Sequence, residues 1–471
     1  MRTIWVKSVL VIVGLWWVYL FFTTQFYVVY DSLDYEQLGK VIAHHGWVQF
    51  LRSGPNREPM FPWLVAVSMH LGDWCGISYY YPLKMIGLSF LSLTMIFSYR
   101  LMSMLGVRPV IALLAICYMG ISPVMIDSSM RLWSEFAAYP WVVLAVIWTI
   151  KSWKLLDNIL DERQVKMQIV GHAGMVALMF LLFLSVKAIA EGVLLLYLWP
   201  FYWKIFVQWR SKNFVKSKQT LIFCMAVLMI FEAGACAYRL GNYYYNHHFV
   251  ITDDRGAASF YGSTAHHLEP LTIRGLEVAA AYVPGMGLCT SLFSQEECSQ
   301  WSWEYTDHIN AQKRNELSAR GIKQESVSKE MIISAVTMIL SNPLQAGLFM
   351  LIEAYNMFFW ESSLAFVVYP DWVGENLHSA TVLYNLRIVL ALLSWLACIF
   401  SVYVLCFRHR QISLKENDQK QALFWVFNFV FWYMAIYSCF FIEDRYSFSL
   451  ISLYLVLISF LIEKILRRCV R

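Results

Sequence analysis

Long apolar runs recur along this chain, and they constrain its fold more than any other feature. About 20 mostly apolar residues cross the hydrocarbon core of a bilayer as one helix. Runs that approach this length include residues 8–29, 81–102 and 381–407. Of the 471 residues, 59% are hydrophobic and only 15% are charged, whereas about a quarter are charged in a typical soluble domain. The sequence therefore predicts an all-α polytopic membrane protein.

Lysine and arginine residues orient these runs, because cytoplasmic loops carry an excess of both. Basic stretches such as "KIFVQWRSKNFVKSKQ" and the terminal "EKILRRCVR" are expected on the cytoplasmic side. This assignment predicts about ten transmembrane helices, with both ends of the chain cytoplasmic. The crossings are expected at residues 8–29, 81–102, 110–124, 135–150, 221–238, 381–407, 423–441 and 447–461, with two more within 169–203.

Two other apolar stretches are interpreted as juxtamembrane helices at the outer interface. The stretch from Pro59 is too short to cross, and Asn342-Pro343 interrupts the stretch from Met331. Both therefore belong to extracytoplasmic loops, the first at residues 30–80 and a large one at 239–379.

We predict a single membrane domain over residues 1–471. A bacterial inner membrane is the expected location, with the functional face toward the periplasm. The net charge of +5 sits mostly in the cytoplasmic loops, so it does not indicate nucleic-acid binding. Cys289 and Cys298 lie in a polar part of the large outer loop. They are either a disulfide or two free thiols, and the sequence leaves both open.

Carboxylates lie directly after the first apolar run, in "YDSLDYEQ", although acidic groups are costly beside lipid. Asp31 and Asp34 are therefore candidates for a functional cavity. The simpler interpretation is that Asp31 caps the helix that follows, since aspartate is a favoured N-cap residue.

Other ionisable residues are expected on the same outer face. Arg57 follows the first loop helix, Glu135 opens the fourth crossing, and Lys187 lies between paired crossings. Each of these residues also has a purely structural interpretation. Arg57 would anchor the chain at the lipid headgroups, Glu135 would place a favourable charge at a helix start, and Lys187 would be a snorkelling side chain. Metalloprotease, nucleotide-binding and nucleophile-elbow motifs are absent from the sequence.

The order of short motifs along the chain is more informative than any single motif. "DSLDY" is followed by "NREPMFPW", by "SE" before the fourth crossing, by a lone basic residue between paired crossings, by "SNP", and by "EDRYSFSLISLYL". This order resembles the membrane glycosyltransferases of the C superfamily. It is most similar to the bacterial branch of protein O-mannosyltransferases and the lipid A aminoarabinose transferase.

The resemblance implies a sugar donor carried on a polyprenyl phosphate and transfer on the outer face to a lipid, glycan or protein hydroxyl. The family's catalytic aspartate lies in the first outer loop. Asp31 matches it, but Ser32 replaces the usual second acidic residue, so Asp34 remains an alternative. The family's Arg-Tyr pair before the last crossing is matched by Arg445 and Tyr446.

Sugar transfer to a hydroxyl needs a general base, which a carboxylate provides, and cations for the leaving phosphate. Arg57, Lys187 and Arg445 are the predicted phosphate-binding residues. The predicted supporting residues are Tyr35, Glu58, Glu135 and Tyr446. No metal ligands are assigned, and the need for a divalent metal ion is left open.

Two other functions fit parts of the pattern. An O-antigen polymerase or ligase also uses lipid-linked sugars, but such enzymes typically centre on arginines in the large outer loop. A lipid or sugar transporter or flippase would favour internal repeats and broken helices near the midplane. The sequence has no obvious repeat, and its candidate residues gather at one face.

Overall fold

In the computed structural model, most of the residues that the structure describes lie in helices. The structure describes residues 2–24, 26, 28, 31–55, 57–158, 162–252, 255–268, 277–278, 281, 288–322, 324–361, 380–407, 414–440 and 444–469. Within these ranges there is no β-strand. This confirms the predicted all-α fold.

The helices of the first half of the described chain, with the turns between them, supply most of the residues of the candidate site. They are α1 (Arg2–Thr23), α2 (Asp31–Arg52), α3 (Met60–Cys75), α4 (Tyr80–Met104), α5 (Pro109–Ile121), α6 (Pro123–Met130), α7 (Glu135–Asp157), α8 (Glu162–Leu184), α9 (Ala190–Tyr197), α10 (Trp199–Arg210) and α11 (Phe214–Asn246).

The second half contains the helices of the large outer loop and the last crossings. They are α12 (Arg255–Leu268), α13 (Leu288–Leu292), α14 (Gln295–Ser299), α15 (Trp303–Ala319), α16 (Gln324–Ser341), α17 (Pro343–Asn356), α18 (Ala380–Phe407), α19 (Leu414–Tyr437), a 3₁₀ helix (Asp444–Leu450) and α20 (Ile451–Cys469).

Seven helical segments of the described chain are long and apolar enough to cross a membrane, or up to nine if each of two bent pairs is one span. The polytopic architecture is therefore confirmed, while the count is lower than the ten crossings predicted. Helices α1 and α19, which correspond to two predicted crossings, are not among the seven. The seven are Tyr80–Met104, Glu135–Asp157, Lys166–Leu184, Ala190–Arg210, Phe214–Asn246, Asn385–Phe407 and Tyr446–Cys469.

The predicted third crossing is broken. Helices α5 and α6 meet at an angle of 50°, with Ser122 between them. Pro123 cannot donate a backbone hydrogen bond to the preceding turn, and the Ser122 hydroxyl instead caps α6 by accepting from the Met125 N–H. The helix axis therefore changes direction at this point.

The two stretches assigned to the outer interface also form helices. Helix α3 has 16 residues, which is short for a crossing. Helices α16 and α17 meet at 107° around Asn342, so this apolar stretch is not a straight span. Helix α11 is longer than predicted and continues to Asn246, so the large loop begins with helical residues.

Helix α7 lies at the centre of the fold. About 72% of its most apolar 18-residue segment is buried inside the protein. Helices α4, α8, α19 and α20 pack around it. Beside it, α4 approaches α6 closely at Gly87, where an added Cβ would lie 1.7 Å from the Ser129 carbonyl oxygen. A larger residue at Gly87 would separate these helices.

Helices α12, α15 and α16 of the outer loop share a small apolar core that includes Tyr261, Leu317 and Met331. Nearby in sequence, Cys289 and Cys298 form a disulfide. Of the two possibilities that the sequence leaves open, a disulfide or two free thiols, the structure has the disulfide.

The disulfide provides a first prediction. Replacing Cys298 with serine is expected to lower the free energy of unfolding by about 2–3 kcal/mol, since the bond closes a short loop and restricts the unfolded chain. Peptide mapping without reductant should recover the two cysteines in one linked peptide. Two separate free-thiol peptides from protein made with intact oxidising machinery would contradict the assignment.

A second prediction concerns orientation. A cysteine at Glu416, near the start of α19, should react with an impermeant maleimide only after cells are opened. A cysteine at the exposed Glu304 of α15 should react in intact cells, since the lysine and arginine distribution places the large loop outside. The reverse labelling pattern would overturn the predicted orientation.

Candidate active site

The first outer helix begins at Asp31, and its first turn carries the two candidate catalytic carboxylates. Both accept hydrogen bonds from the same guanidinium nitrogen: Arg57 Nη2 lies 2.5 Å from Asp31 Oδ1 and 3.0 Å from Asp34 Oδ2. Arg57 reaches them from the turn before α3. Its side chain is 12% exposed, whereas those of Asp31 and Asp34 are 32% and 45% exposed. One largely buried cation therefore holds two accessible carboxylates.

The inner face of the same helical turn anchors it to the segment before α7. The Ser32 hydroxyl donates to the Leu132 carbonyl oxygen at 3.1 Å, and the Tyr35 hydroxyl donates to Ser134 Oγ at 3.2 Å. The Tyr35 ring lies beneath the Arg57 guanidinium, with 5.0 Å between Arg57 Cζ and the ring centroid. This contact is a cation–π interaction that fixes the position of the arginine.

A second ion pair lies deeper in the site. Lys187 Nζ is 2.7 Å from Glu135 Oε1, and their side chains are 13% and 4% exposed. Lys187 comes from the turn between α8 and α9, and Glu135 opens α7. In the same turn, the Ala188 N–H donates to Glu58 Oε1 at 3.0 Å. Glu58 thus joins the Arg57 segment to the Lys187 turn.

Burial and charge set the protonation of two groups here. Burial raises the pKa of the Tyr35 hydroxyl, and the charge of Glu58 adds to this effect, so Tyr35 remains a neutral hydrogen-bond donor. Burial alone would lower the pKa of Lys187, but the charge of Glu135 outweighs it and raises that pKa above its ordinary value. Lys187 is therefore a permanent cation at neutral pH.

These groups line one cavity of about 410 Å³ at one end of the helices, the end that is predicted to face outward. The first outer loop, the start of α7, the Lys187 turn, the α12 region and the end of α19 all contribute to its wall. The lining residues are Asp31, Ser32, Tyr35, Arg57, Glu58, Leu132, Trp133, Ser134, Glu135, Lys187, Ala188, Ile189, Thr252, Gly256, Ser259, Tyr437, Phe440 and Tyr446.

Most of the predicted site residues thus meet in one place. Asp34 contacts Arg57 but does not line the cavity. Tyr446 lines it and stacks on Tyr437, with 5.2 Å between ring centroids. The Arg445 side chain lies outside the described residues, so its predicted phosphate contact stays a prediction. Glu36 points elsewhere, since it accepts a hydrogen bond from the Tyr79 hydroxyl at 2.7 Å.

One buried ion pair behind the site was missed by the sequence reasoning. Arg131 Nε lies 2.8 Å from Asp127 Oδ1, with side chains 2% and 6% exposed. The signal was present as two opposite charges four residues apart, a spacing that places two side chains on one face of a helix. The pair immediately precedes Leu132 and Ser134, which anchor α2, so it supports the wall of the cavity.

The described residues contain no group of three histidine, cysteine, aspartate or glutamate side chains that would suit a metal ion. The site instead offers a rim carboxylate, a buried arginine and a buried lysine. Such an arrangement can accept a proton and bind an anion within a single cavity.

No protein-family model matches the sequence, and no curated protein does. Among solved structures, the chain is similar to the archaeal oligosaccharyltransferase AglB from Archaeoglobus fulgidus, in complex with an inhibitory peptide and a dolichol-phosphate. The TM-score is 0.48 and the identity 11%, over 99% of this chain and 51% of that chain. This chain therefore spans about half the length of that protein.

Proposed function

We propose that this chain is a membrane glycosyltransferase of the bacterial inner membrane. It would move a sugar from a polyprenyl-phosphate donor to a hydroxyl of a lipid, glycan or protein on the periplasmic face. One observation carries the proposal: Asp31 lines a cavity that also contains the cations Arg57 and Lys187. A base beside two cations suits a reaction in which a hydroxyl loses a proton while a phosphate leaves with its charge.

Asp31 acts as the general base in this proposal. Its carboxylate accepts the proton of the acceptor hydroxyl while that oxygen attacks the anomeric carbon. A new glycosidic C–O bond forms, and the bond between the anomeric carbon and the phosphate oxygen breaks. Because the attack comes from the side opposite to the leaving phosphate, the anomeric configuration inverts.

The leaving group is polyprenyl phosphate, which gains negative charge as the bond breaks. Arg57 suits this charge because its planar guanidinium can bind two phosphate oxygens. Its Nε is buried and has no hydrogen-bond partner in the described part of the chain. Lys187 supplies a second fixed charge. Arg445 is proposed for the same role on the sequence resemblance.

Lipid-borne substrates require apolar walls beside the cavity. Helices α16 and α17 present exposed leucines around their bend, with Leu340, Leu344 and Leu351 exposed by 73%, 78% and 68%. Such exposed apolar surface is suited to contact with lipid chains. We assign the polyprenyl chain and a lipid acceptor to this side of the protein, together with α3.

The direct test is transfer by the purified protein from a panel of polyprenyl-phosphate monosaccharides. Replacing Arg57 with lysine should reduce turnover roughly ten- to hundredfold, because lysine keeps the charge but loses the planar guanidinium that is proposed to bind two phosphate oxygens. The measurement is polyprenyl phosphate released per enzyme at saturating donor. Arg52→Lys is the matched control, since Arg52 lies over the Tyr245 ring at the far end of α2.

The same assay separates the alternatives. Uptake or flipping of the lipid-linked sugar without its consumption would favour a transporter. Transfer only from oligosaccharide donors would favour a polymerase or ligase. If Arg57→Lys turns over like the Arg52→Lys control, Arg57 is a structural anchor and the phosphate-binding role is wrong.

A further inference from the structure

A second cavity lies at the opposite end of the helices from the candidate active site. It has a volume of about 530 Å³ and runs between the end of α18 and the Asn417–Phe431 part of α19. Trp153, near the end of α7, forms its inner wall. The other lining residues are Val402, Leu405, Cys406, Asn417, Lys420, Gln421, Phe424, Phe427, Asn428 and Phe431. We call this cavity the α18–α19 groove.

The groove belongs to the other leaflet of the membrane. Glu135 of α7 lines the active-site cavity, and Trp153 lines the α18–α19 groove. These residues are 18 positions apart, which is about 27 Å along a helix. This distance is close to the hydrocarbon thickness of a bilayer, about 30 Å. The two cavities therefore open near opposite membrane surfaces.

Helix α19 presents one continuous stripe to the groove, formed by Asn417, Lys420, Phe424, Phe427 and Phe431. Their spacing of three and four residues places them on one helical face. The stripe is polar at its beginning and aromatic further along. From Lys420 to Phe431 it covers about 16 Å, close to the depth of one leaflet. The stripe thus matches the arrangement of a phospholipid. Its polar beginning suits a headgroup, and its aromatic part suits an acyl chain.

The headgroup end carries one uncompensated positive charge. Lys154 pairs with Asp418 at 2.7 Å, and Lys204 pairs with Asp157 at 2.6 Å. Lys420, in contrast, is partly buried and has no ion-pair partner among the residues that the structure describes. A buried or interfacial ammonium is stabilised by an anionic partner, so the groove mouth favours a negatively charged headgroup.

The inner wall of the groove is already held in place. Trp153 stacks under the Lys204 ammonium at 4.0 Å and contacts Trp425 at 5.3 Å between ring centroids. The Asn428 amide donates to the Tyr197 carbonyl oxygen at 3.0 Å. These contacts fix the wall without a ligand, so binding does not require the helices to rearrange.

We propose that the α18–α19 groove is a specific site for one anionic glycerophospholipid of the leaflet opposite the active-site cavity. One acyl chain lies along the three phenylalanines, and the headgroup phosphate contacts Lys420. Gln421 and Asn417 border the headgroup. The site is independent of sugar transfer, because none of its residues lines the active-site cavity.

The probe is Cys406, an exposed cysteine in the groove wall. The full-length protein in detergent is mixed with dioleoyl phosphatidylglycerol or dioleoyl phosphatidylcholine, and maleimide labelling of each cysteine is followed by peptide mapping. Phosphatidylglycerol should protect Cys406, while the exposed Cys469 at the end of α20 serves as the internal control. Lys420→Gln should raise the phosphatidylglycerol concentration needed for half-protection about fivefold, the usual effect of one lysine at an anionic surface.

Two further variants separate a groove effect from a general charge effect. Lys218→Gln removes an exposed charge from the beginning of α11 and should leave protection unchanged. Val402→Trp fills the groove and should abolish binding of phosphatidylglycerol in native mass spectra. Equal protection by both lipids, or equal half-protection for Lys420→Gln and the original protein, would overturn the proposal. Retained phosphatidylglycerol in Val402→Trp would overturn it as well.

Discussion

Replacing Asp31 with asparagine is expected to slow sugar transfer by about a hundred- to ten-thousandfold, the usual effect of removing a positioned general base. Asparagine keeps the shape of the side chain and can still accept a hydrogen bond from Arg57. It cannot accept the proton of an acceptor hydroxyl at neutral pH. The measurement is single-turnover transfer from a defined polyprenyl-phosphate sugar, with donor affinity determined separately. Donor affinity should change little.

Asp34 and Glu36 provide matched controls on the same helix. Asp34→Asn should have a smaller effect, because Asp34 contacts Arg57 without lining the cavity. Glu36→Gln should be nearly silent, since Glu36 is bonded to Tyr79. Near-normal turnover in Asp31→Asn with a collapse in Asp34→Asn would exchange the two roles. Near-normal turnover in both would leave Asp31 as a helix cap and remove the main support for the proposed function.

Replacing Lys187 with methionine is expected to lower the free energy of unfolding by about 3–5 kcal/mol and to abolish transfer. The loss of stability follows because Glu135, whose side chain is 4% exposed, would be left buried without its partner. Stability is measured by thermal unfolding of the purified protein in detergent. Lys204→Met is the control, since its partner Asp157 is 45% exposed and the expected loss is at most about 1 kcal/mol.

A double variant separates stability from chemistry. Replacing Glu135 with leucine and Lys187 with methionine removes both buried charges, and apolar replacements of an ion pair often restore stability. The double variant should therefore fold like the original protein yet remain inactive, because Lys187, one of the proposed cations for the leaving phosphate, is gone. Full activity in a stable double variant would show that Lys187 has only a structural role.

The charged residues that line the cavity could be identified as candidates because charged side chains are rare in this apolar chain. Asp31, Arg57, Glu135 and Lys187 were each identified as candidates from their positions at predicted helix ends. Their pairing was not predicted. Lys187 and Glu135 are 52 residues apart, and periodicity along a helix carries no information on which helix ends meet in space.

The fold, too, could be predicted only in part from the sequence. Apolar length predicted the membrane helices, since bilayer thickness sets that length directly. The points at which helices break or end were harder to predict from the sequence. Helix α5 ends at Ile121 because Pro123 follows, and α11 continues to Asn246 although its last turns are polar. In α11 tertiary contacts override local polarity, since the Asn242 side chain is buried and donates to the Val250 carbonyl oxygen.

The central position of α7 also has a consequence for the order of events during synthesis. Ribosomes add roughly 5–20 residues per second, so Lys187 emerges about 3–10 s after Glu135, from which it is 52 residues distant. During that interval Glu135 lacks its counter-charge. Helix α8 is made within that interval, whereas α19 and α20, which also enclose α7, are made later still. Helix α7 must therefore remain in lipid until its neighbours arrive, and the cavity wall is completed only when the last helices of the chain have been inserted.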